Sequence, residues 1–247
     1  MRCLFLATLL VTTACTGKGV PYDSGTIGDG NPANNPTSDD TAAGDPGDSI
    51  NATMMILSAM DGTGLEGIAV EAPSGETVLT GADGSATLPI DEGGTFQFRV
   101  EGEGAIEHLV FGPTGREDFI YMTFLATETM LQQVNTTLGT ITTPETGMIV
   151  VGIDYDDLSP ASGATASIGS SHDLSWVFGP SGPAFGNTIP STGGLGVVVF
   201  PNVPPGQAGV TITPPSGATC SAFPGGGQMP KAPVLMNHIT VVTFHCS

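Results

Sequence analysis

Four histidines and a short acidic run are the side chains in this sequence with the most chemistry to offer. The histidines are His108, His172, His238 and His245. None of them stands in a His-x-x-Glu or His-Glu-x-x-His spacing, which is how zinc enzymes place ligands and a general base on one element. The sequence also lacks a Gly-x-Ser-x-Gly nucleophile elbow and a phosphate-binding Gly-rich loop ending in Lys-Ser or Lys-Thr. It therefore predicts neither an enzyme nor a cofactor.

The acidic run Asp154-Tyr155-Asp156-Asp157 follows a β-favouring segment. On an extended chain Asp154 and Asp156 point the same way, so these two carboxylates, together with Asp157, could hold a calcium ion. The alternative is a solvated turn after the strand. No metal site is predicted, and the three aspartates are kept only as candidates.

The first fifteen residues have the shape of an export signal. Met1-Arg2 is positively charged, and the eight residues from Leu4 to Val11 are apolar but too few to span a bilayer. The next four, Thr12-Thr13-Ala14-Cys15, resemble the cleavage box of bacterial lipoproteins. The resemblance implies that residues 1–14 are a signal peptide, that the thiol of Cys15 receives a diacylglycerol, and that its new amino group is acylated. The alternative is an ordinary secretory signal that happens to contain a cysteine.

Residues 15–48 are predicted to be the lipidated cysteine followed by a disordered acidic tether. Of the 33 residues from Thr16 to Asp48, 26 are Gly, Pro, Ser, Thr, Asn or Asp. Such a segment cannot bury enough apolar surface to fold. We expect it to hold the folded part of the chain away from the membrane.

The composition of the whole chain favours many short strands and excludes some partners. The 36 glycines and 20 prolines are too many for long helices. The 24 acidic residues outnumber the five Lys and Arg, giving a formal net charge of −19. A field of this sign repels nucleic acid and anionic lipid headgroups, so no nucleic-acid partner is expected.

Two stretches share one pattern and predict two β modules in tandem. In Gly81–Ile90 a Gly-Ala-Asp-Gly turn leads into a strand where Ala86, Leu88 and Ile90 alternate with more polar positions. In Gly193–Gly206 glycines lead into a Val-Val-Val-Phe strand that prolines end. The predicted fold is all-β. Its predicted units are a sandwich over 49–104, a connecting strand and helix over 105–143, and a second sandwich over 144–247.

The connecting segment contains the best helical window of the chain. Within Glu128–Leu138, four apolar residues form a stripe at helical spacing, and Gly139 stands where a helix C-cap belongs. The four are Met130, Leu131, Val134 and Leu138. A different run, Gly62 to Gly67, formally matches the dinucleotide-binding Gly-x-Gly-x-x-Gly pattern. Because β-forming residues follow it instead of a helix, we interpret it as a hairpin turn.

Both modules resemble the carboxypeptidase regulatory-like (prealbumin-like) domain. The resemblance lies in the segments 65–70, 80–89 and 96–100 of the first module, and in 160–166 and 196–206 of the second. It implies two tandem prealbumin/Ig-like β-sandwiches with one short helix between them. It implies no catalytic residue, because the shared positions are turns and core residues. In that family the modules are accessory to enzymes, stalks and surface proteins.

The second module carries an insertion, residues 168–192, that the first module lacks. It holds the sequence's only tryptophan, Trp176, together with Phe178, Phe185 and His172. Loops that add aromatic residues to a rigid sandwich are common binding sites, so these four are candidate ligand-binding residues. The alternative is a loop that buries its own aromatic side chains.

Four cysteines divide between the leader and the folded region. Cys3 and Cys15 lie in the leader and at its end, which leaves Cys220 and Cys246. Two cysteines in an exported chain most simply form a disulfide. Two buried free thiols are the alternative.

Taken together, these features predict a non-catalytic lipoprotein, anchored to a bacterial membrane and displaying β-sandwich modules for surface interaction or as an accessory part of an envelope assembly. The expected partners are the membrane, envelope proteins and glycans. By family custom, Thr16 after the lipidated cysteine favours the outer membrane. One alternative is a glycan- or ligand-binding module that uses Trp176. The other is an accessory subunit of a hydrolase, or a degenerate enzyme.

Overall fold

The computed structural model describes residues 49–191 and 194–247, so the predicted leader, Cys15 and the tether lie outside the described residues. The described residues form 17 strands and one helix. The first module contains β1 Ser49–Ser58, β2 Ala69–Glu71, β3 Thr77–Leu79, β4 Ser85–Asp91, β5 Thr95–Glu101, β6 Glu107–Pro113 and β7 Phe119–Leu125. The helix α1 is Glu128–Leu138. The second module contains β8 Gly147–Tyr155, β9 Thr165–Ile168, β10 Trp176–Gly179, β11 Gly182–Phe185, β12 Val197–Val203, β13 Gly206–Ala208, β14 Val210–Thr213, β15 Cys220–Ala222, β16 Ala232–Val234 and β17 His238–Cys246. The all-β prediction is confirmed.

Four strands of the first module, β1, β4, β5 and β7, alternate buried with more exposed residues, because each faces the core on one side only. In β4 the buried residues are Ala86, Leu88 and Ile90, as the alternation predicts. The strands β4, β1 and β7 form a three-stranded sheet in which β1 is central, antiparallel to β4 and parallel to β7. This sheet covers one side of a core that contains Met54, Phe98 and Tyr121.

One large sheet runs through both modules. Its strand order is β11-β10-β12-β8-β17-β6-β5-β2-β3, with β15 also paired to β17. The modules join where the last strand, β17, runs parallel to β6, so that His238 lies opposite Glu107. The connecting segment 105–143 therefore contributes two strands, β6 and β7, where the sequence predicts one. Neither strand merely connects, since both pair with strands of the first module.

The central strands β8 and β17 are nearly continuous runs of apolar residues because both of their faces are covered. Val151 and Val242 face a second core, which the short ladders β9–β14 and β13–β16 complete. Met148 and Val241 belong to the core of the first module. Strands buried on both faces lose the alternation that marks a half-exposed strand.

The helix has the predicted ends. The hydroxyl of Thr127, at the N-cap, accepts a hydrogen bond from the backbone N–H of Met130, and Gly139 ends the helix in the left-handed conformation at φ 67°. Val134 is its buried residue. The only helix among the described residues is too short to cross a membrane.

The turn at Gly62–Gly67 folds back on the end of β1 as a short hairpin, as predicted: Leu57 and Gly64 form an antiparallel bridge, and the backbone N–H of Ser58 donates to the carbonyl of Thr63. The chain then crosses to β2 in the other sheet. Gly64 approaches the backbone of Asp83 and Gly84 so closely that a Cβ would overlap the Asp83 carbonyl. The glycine is therefore needed for contact between two turns. This explains a glycine pattern that resembles a cofactor motif by chance.

Candidate functional site

The aromatic insertion is an edge hairpin of the large sheet. Strand β10 pairs with β12 and with β11, so that Trp176 lies between Val199 and Phe185. The Trp176 side chain is only 5 % exposed and belongs to the core of the first module. Its ring meets that of Phe178 edge to face, with centroids 5.2 Å apart. Trp176 is therefore a core residue, and Phe178 is half-buried against the same core. This packing favours the alternative in which the insertion buries its aromatic side chains.

The other two candidates of the insertion lie at the surface. Phe185 is 49 % exposed at the end of β11. His172 is exposed, its Nδ1 lies 2.9 Å from the carbonyl oxygen of Ser170, and its ring stands edge-on to Phe200. Of the four predicted binding residues, Trp176 is thus buried, Phe178 is half-buried, and Phe185 and His172 are exposed.

Asn202, on β12, ties the insertion to the end of the connecting segment. Its side-chain nitrogen donates to the carbonyl of Ile141 at 2.8 Å and to the carboxylate of Asp173 at 2.7 Å. Its side-chain oxygen accepts from the backbone N–H of Thr143 at 2.8 Å. Asn202 stands at φ 55°, a conformation that asparagine tolerates better than most residues. In the sequence, the only sign of this role is an asparagine that directly follows Pro201.

The three aspartates of the acidic run have different surroundings. Asp154 lies opposite His245 on β17, and burial raises the pKa of its carboxyl to about 7. Gly196 makes room for this carboxylate, since a Cβ there would overlap Oδ1. Asp156 is largely exposed, 3.8 Å from the Nδ1 of His245. Both residues thus lie beside His245, as expected for residues two apart on an extended chain.

Asp157 serves the turn that follows β8. Its carboxylate accepts hydrogen bonds from the backbone N–H and the hydroxyl of Ser159, and these lower its pKa. The same two bonds join Asp61 to Thr63 after β1, and Asp83 to Ser85 before β4. Within the described residues, no group of three or more His, Cys, Asp or Glu side chains is placed to hold a metal ion. The two hydrogen bonds from Ser159 thus give Asp157 a role in forming the turn.

His108 is a buried neutral histidine between β6 and the start of the helix. Its Nδ1–H donates to the carbonyl of Ile106 at 2.7 Å, and its Nε2 accepts from the backbone N–H of Ala126 at 3.4 Å. Burial lowers its pKa to about 4, although the bond to Ile106 favours the protonated form. Its role is to hold two segments of the first module together.

We expect His108 to make the protein sensitive to acid. Unfolded, its imidazole takes up a proton near pH 6.5, whereas the native imidazole stays neutral down to about pH 4. The contribution of neutral His108 is therefore complete above pH 6.5 and is lost as the pH falls towards 4, by about 3 kcal/mol in all. Urea unfolding of the parent and of His108→Gln at pH 7 and pH 4.5 measures this contribution. The difference in free energy of unfolding between the parent and the variant should be about 2–3 kcal/mol less favourable to the parent at pH 4.5 than at pH 7.

The comparison with His108→Gln is needed because Asp154 acts in the opposite sense. Its native pKa of about 7 means that its carboxyl destabilises the fold increasingly as the pH rises from about 4 to 7. The destabilisation by Asp154 is present in both proteins, so it cancels when their free energies of unfolding are subtracted. If that difference in free energy were the same at both pH values, it would contradict a neutral buried His108.

The charged residues Arg99, Glu107 and His238 meet across three neighbouring strands. Glu107 Oε1 lies 2.6 Å from Arg99 Nε and 2.9 Å from His238 Nε2. The cluster stands where β17 joins β6, so it links the two modules. Sequence analysis missed it, because the strand β6 was not predicted and residues from distant parts of the chain form it.

The disulfide prediction agrees with the structure. Cys220 and Cys246 lie directly opposite each other on β15 and β17, with Cα atoms 4.0 Å apart and their sulfur atoms bonded. The bridge holds β15 on the last strand.

Two depressions on the surface of the described residues are small or shallow. The first, about 160 Å³, lies at the start of the helix and is lined by apolar residues such as Leu65, Leu125 and Met130. The second, about 360 Å³, is open to solvent beside Phe119 and Phe223. Typical small-molecule sites have about 300–1,000 Å³ and are largely enclosed, so neither depression fits that class.

An exposed apolar strand is the surface feature that sequence analysis missed. On β7 the side chains of Ile120, Met122 and Phe124 point outwards, and they are 60 %, 38 % and 38 % exposed. The strand itself was predicted. Both of its faces are apolar, so the sequence does not indicate that one of them is exposed.

No family model matches this chain, and no curated protein matches it. Among solved structures, the minor pilin GBS52 of Streptococcus agalactiae is 13 % identical, with 79 % of this chain and 94 % of that chain covered and a TM-score of 0.26. A shaft pilin, spaA of Lactobacillus rhamnosus GG, is 9 % identical over 81 % of this chain and 98 % of that one, with a TM-score of 0.25. The Bacillus anthracis TIE protein is 15 % identical over 79 % of this chain, with a TM-score of 0.25, and the match spans 33 % of its own length. At such identities and TM-scores, no property of these proteins is transferred to this chain.

Proposed function

We propose that this chain is a non-catalytic lipoprotein of a bacterial cell envelope. Lipidated Cys15 anchors it, the segment 15–48 is the tether, and the two β modules are the displayed part. The export signal and the cleavage box support the anchor. The residue after the lipidated cysteine favours the outer membrane.

Several ionisable side chains make structural contacts within the fold, which supports a non-catalytic role. His108 is a buried, neutral structural group, Asp157 forms a turn, and Glu107 joins neighbouring strands. A catalytic acid, base or nucleophile needs a free partner at hydrogen-bond distance and space for a substrate. These side chains are instead occupied by contacts within the fold.

We infer that the displayed modules act through contacts with other proteins of the envelope. The strongest support is the exposed apolar face of β7, because such a face on a soluble domain commonly marks an interaction surface. The glycan-binding alternative loses its principal residue, since Trp176 is buried.

Lipidation can be tested directly. Intact-mass spectrometry of the membrane fraction should detect a chain that begins at Cys15 and carries acyl groups. Cys15→Ser should leave the protein uncleaved or release it from the membrane, because the acyl chains are its predicted attachment. Cys3→Ser is the matched control and should be lipidated normally, since Cys3 lies in the predicted signal peptide. A soluble, unacylated mature protein would contradict the proposal.

A further inference from the structure

Strand β17, the last of the 17 strands, lies in the middle of the large sheet. It runs parallel to β6 on one side and to β8 on the other. In this sheet the strands β8, β12 and β10 therefore reach the strands of the first module through β17. Strand β7, the last of the first module, ends more than a hundred residues before β17 begins. The sheet can thus be completed only after a long further stretch of chain is available.

The two faces of β17 serve different cores. Ile239 and Val241 belong to the core of the first module, whereas Val242 and Phe244 belong to the second core. On the same face as Val241, the hydroxyl oxygen of Thr243 lies 2.7 Å from that of Tyr121, which is buried in the first core. This division follows from the pleat, because residues two apart on a strand point to the same face. Both cores therefore depend on the same nine-residue strand.

The first core also takes residues from strands that lie beyond β17 in the sheet. Met148 of β8, Trp176 of β10 and Val199 of β12 belong to it. Without β17, these three side chains would lose their place beside the first module, and the hydroxyl of Tyr121 would lose its partner. Removing even one large core side chain destabilises a domain strongly, and a buried hydroxyl without a partner adds to the loss.

The second core depends on the first module in a similar way. Phe111 of β6 packs into it, although β6 pairs with β5 of the first module. Phe244 and Cys246 of β17 belong to the same core, and the disulfide holds β15 there. Without β17, β6 would no longer lie near β8, and Phe111 would leave this core. Neither core is therefore complete without β17.

We propose that β17 is the closing strand of the fold: neither core forms until β17 has docked between β6 and β8, and the two cores then form together. Multidomain chains generally fold domain by domain during synthesis, the N-terminal domain first. This chain would instead remain unfolded until residues 238–246 are available. Under the export proposed above, on which this consequence rests, the first module would stay competent for translocation until the second module has been synthesised.

Amide hydrogen exchange of the purified full chain tests whether the two cores form together. Leu88→Ala removes a fully buried side chain from the first core, and Ile149→Ala removes one from the second. Each change should speed exchange in both modules, in β1 as well as in β12, by the same factor of at least about thirty. Leu79→Ala is the control and should leave both rates unchanged, because Leu79 is 64 % exposed. Faster exchange confined to the module that carries the substitution would overturn the proposal.

Full-length chains held on the ribosome by a linker appended after Ser247 test the order of folding. A short linker keeps β17 inside the ribosome, whereas a long one brings it out. A protease that cuts beside apolar residues should digest residues 49–237 on the short linker and spare them on the long one. Val241→Asp places an unpaired charge in the first core and should be digested on both linkers. Met236→Asp is the matched control, because Met236 lies just before β17 and is 55 % exposed, and it should behave like the parent.

Neither experiment requires export or lipidation, so their failure would leave the proposed anchor untouched. Conversely, a chain without acyl groups would contradict the anchor and leave the closing strand standing. A first module that resists the protease while β17 is still inside the ribosome would overturn the proposal.

Discussion

Trp176→Ala should lower the free energy of unfolding by about 3–5 kcal/mol, the range for removing a large aromatic side chain from a core. Trp176 is 5 % exposed, packs edge to face on Phe178, and belongs to the core of the first module although the second module supplies it. Its loss would leave a cavity under the β10–β11 hairpin. Urea unfolding of the purified chain, with the slope compared between variant and parent, measures the effect.

Phe185→Ala is the control within the same hairpin. Phe185 lies opposite Trp176 on β11, but it is 49 % exposed, so its removal should cost less than about 1 kcal/mol. The two changes delete aromatic rings from neighbouring positions that differ in burial. An unchanged stability for Trp176→Ala would show that the insertion does not pack as described, and would revive the hypothesis that it is a binding loop.

Sequence patterns predicted the parts of the fold that depend on one strand or one helix. Alternation located β4 and the buried positions Ala86, Leu88 and Ile90, since a strand with one covered face shows the period of two directly. The apolar stripe and Gly139 predicted the helix and its C-terminal end. These signals are local, and distant residues do not change them.

Pairing between distant segments could not be predicted in this way. Strand β6 has buried residues on both faces because Val110 faces the first core and Phe111 the second. One of its two neighbours in the sheet, β17, lies more than a hundred residues further along the chain. The run His-Leu-Val-Phe of β6 has no alternation to identify it. The same reason explains why the modules, which the sequence predicts as separate sandwiches, share one sheet.

The candidate site could be located but not interpreted from the sequence. Comparing the two modules indicated an insertion with aromatic residues, but its spacing did not show that β10 pairs with β12, which turns Trp176 towards the core. Aromatic residues suit a core and a binding surface equally well. Strand β7 presents the converse case, since Ile120 and Met122 are apolar but exposed.

Removing the disulfide should destabilise the protein by about 3–4 kcal/mol in the chain-entropy model, because the bridge closes a loop between residues 26 apart. The double variant Cys220→Ala, Cys246→Ala leaves no unpaired thiol in the fold and is preferable to either single change. The loss should extend beyond β15. Phe223, which follows β15, packs against Phe119 and Tyr121 of the first module, with ring centroids 6.2 and 5.9 Å apart.

Measuring the free energy of unfolding with and without reductant separates the effect of the S–S bond from the effect of packing by the two cysteine side chains. Reductant should lower the unfolding free energy of the parent by nearly the full amount and leave the double variant unchanged, since the variant has no bridge to reduce. Peptide mapping without reductant should recover the Cys220 and Cys246 peptides linked. Free thiols on both cysteines, in protein from its native compartment, would refute the pairing.

Two backbone hydrogen bonds between Thr219 and Ser247 remain after reduction, so we expect β15 to loosen without leaving the sheet. Amide hydrogen exchange at β15 and at Phe223 should then rise before that of β8, which neighbouring strands flank on both sides.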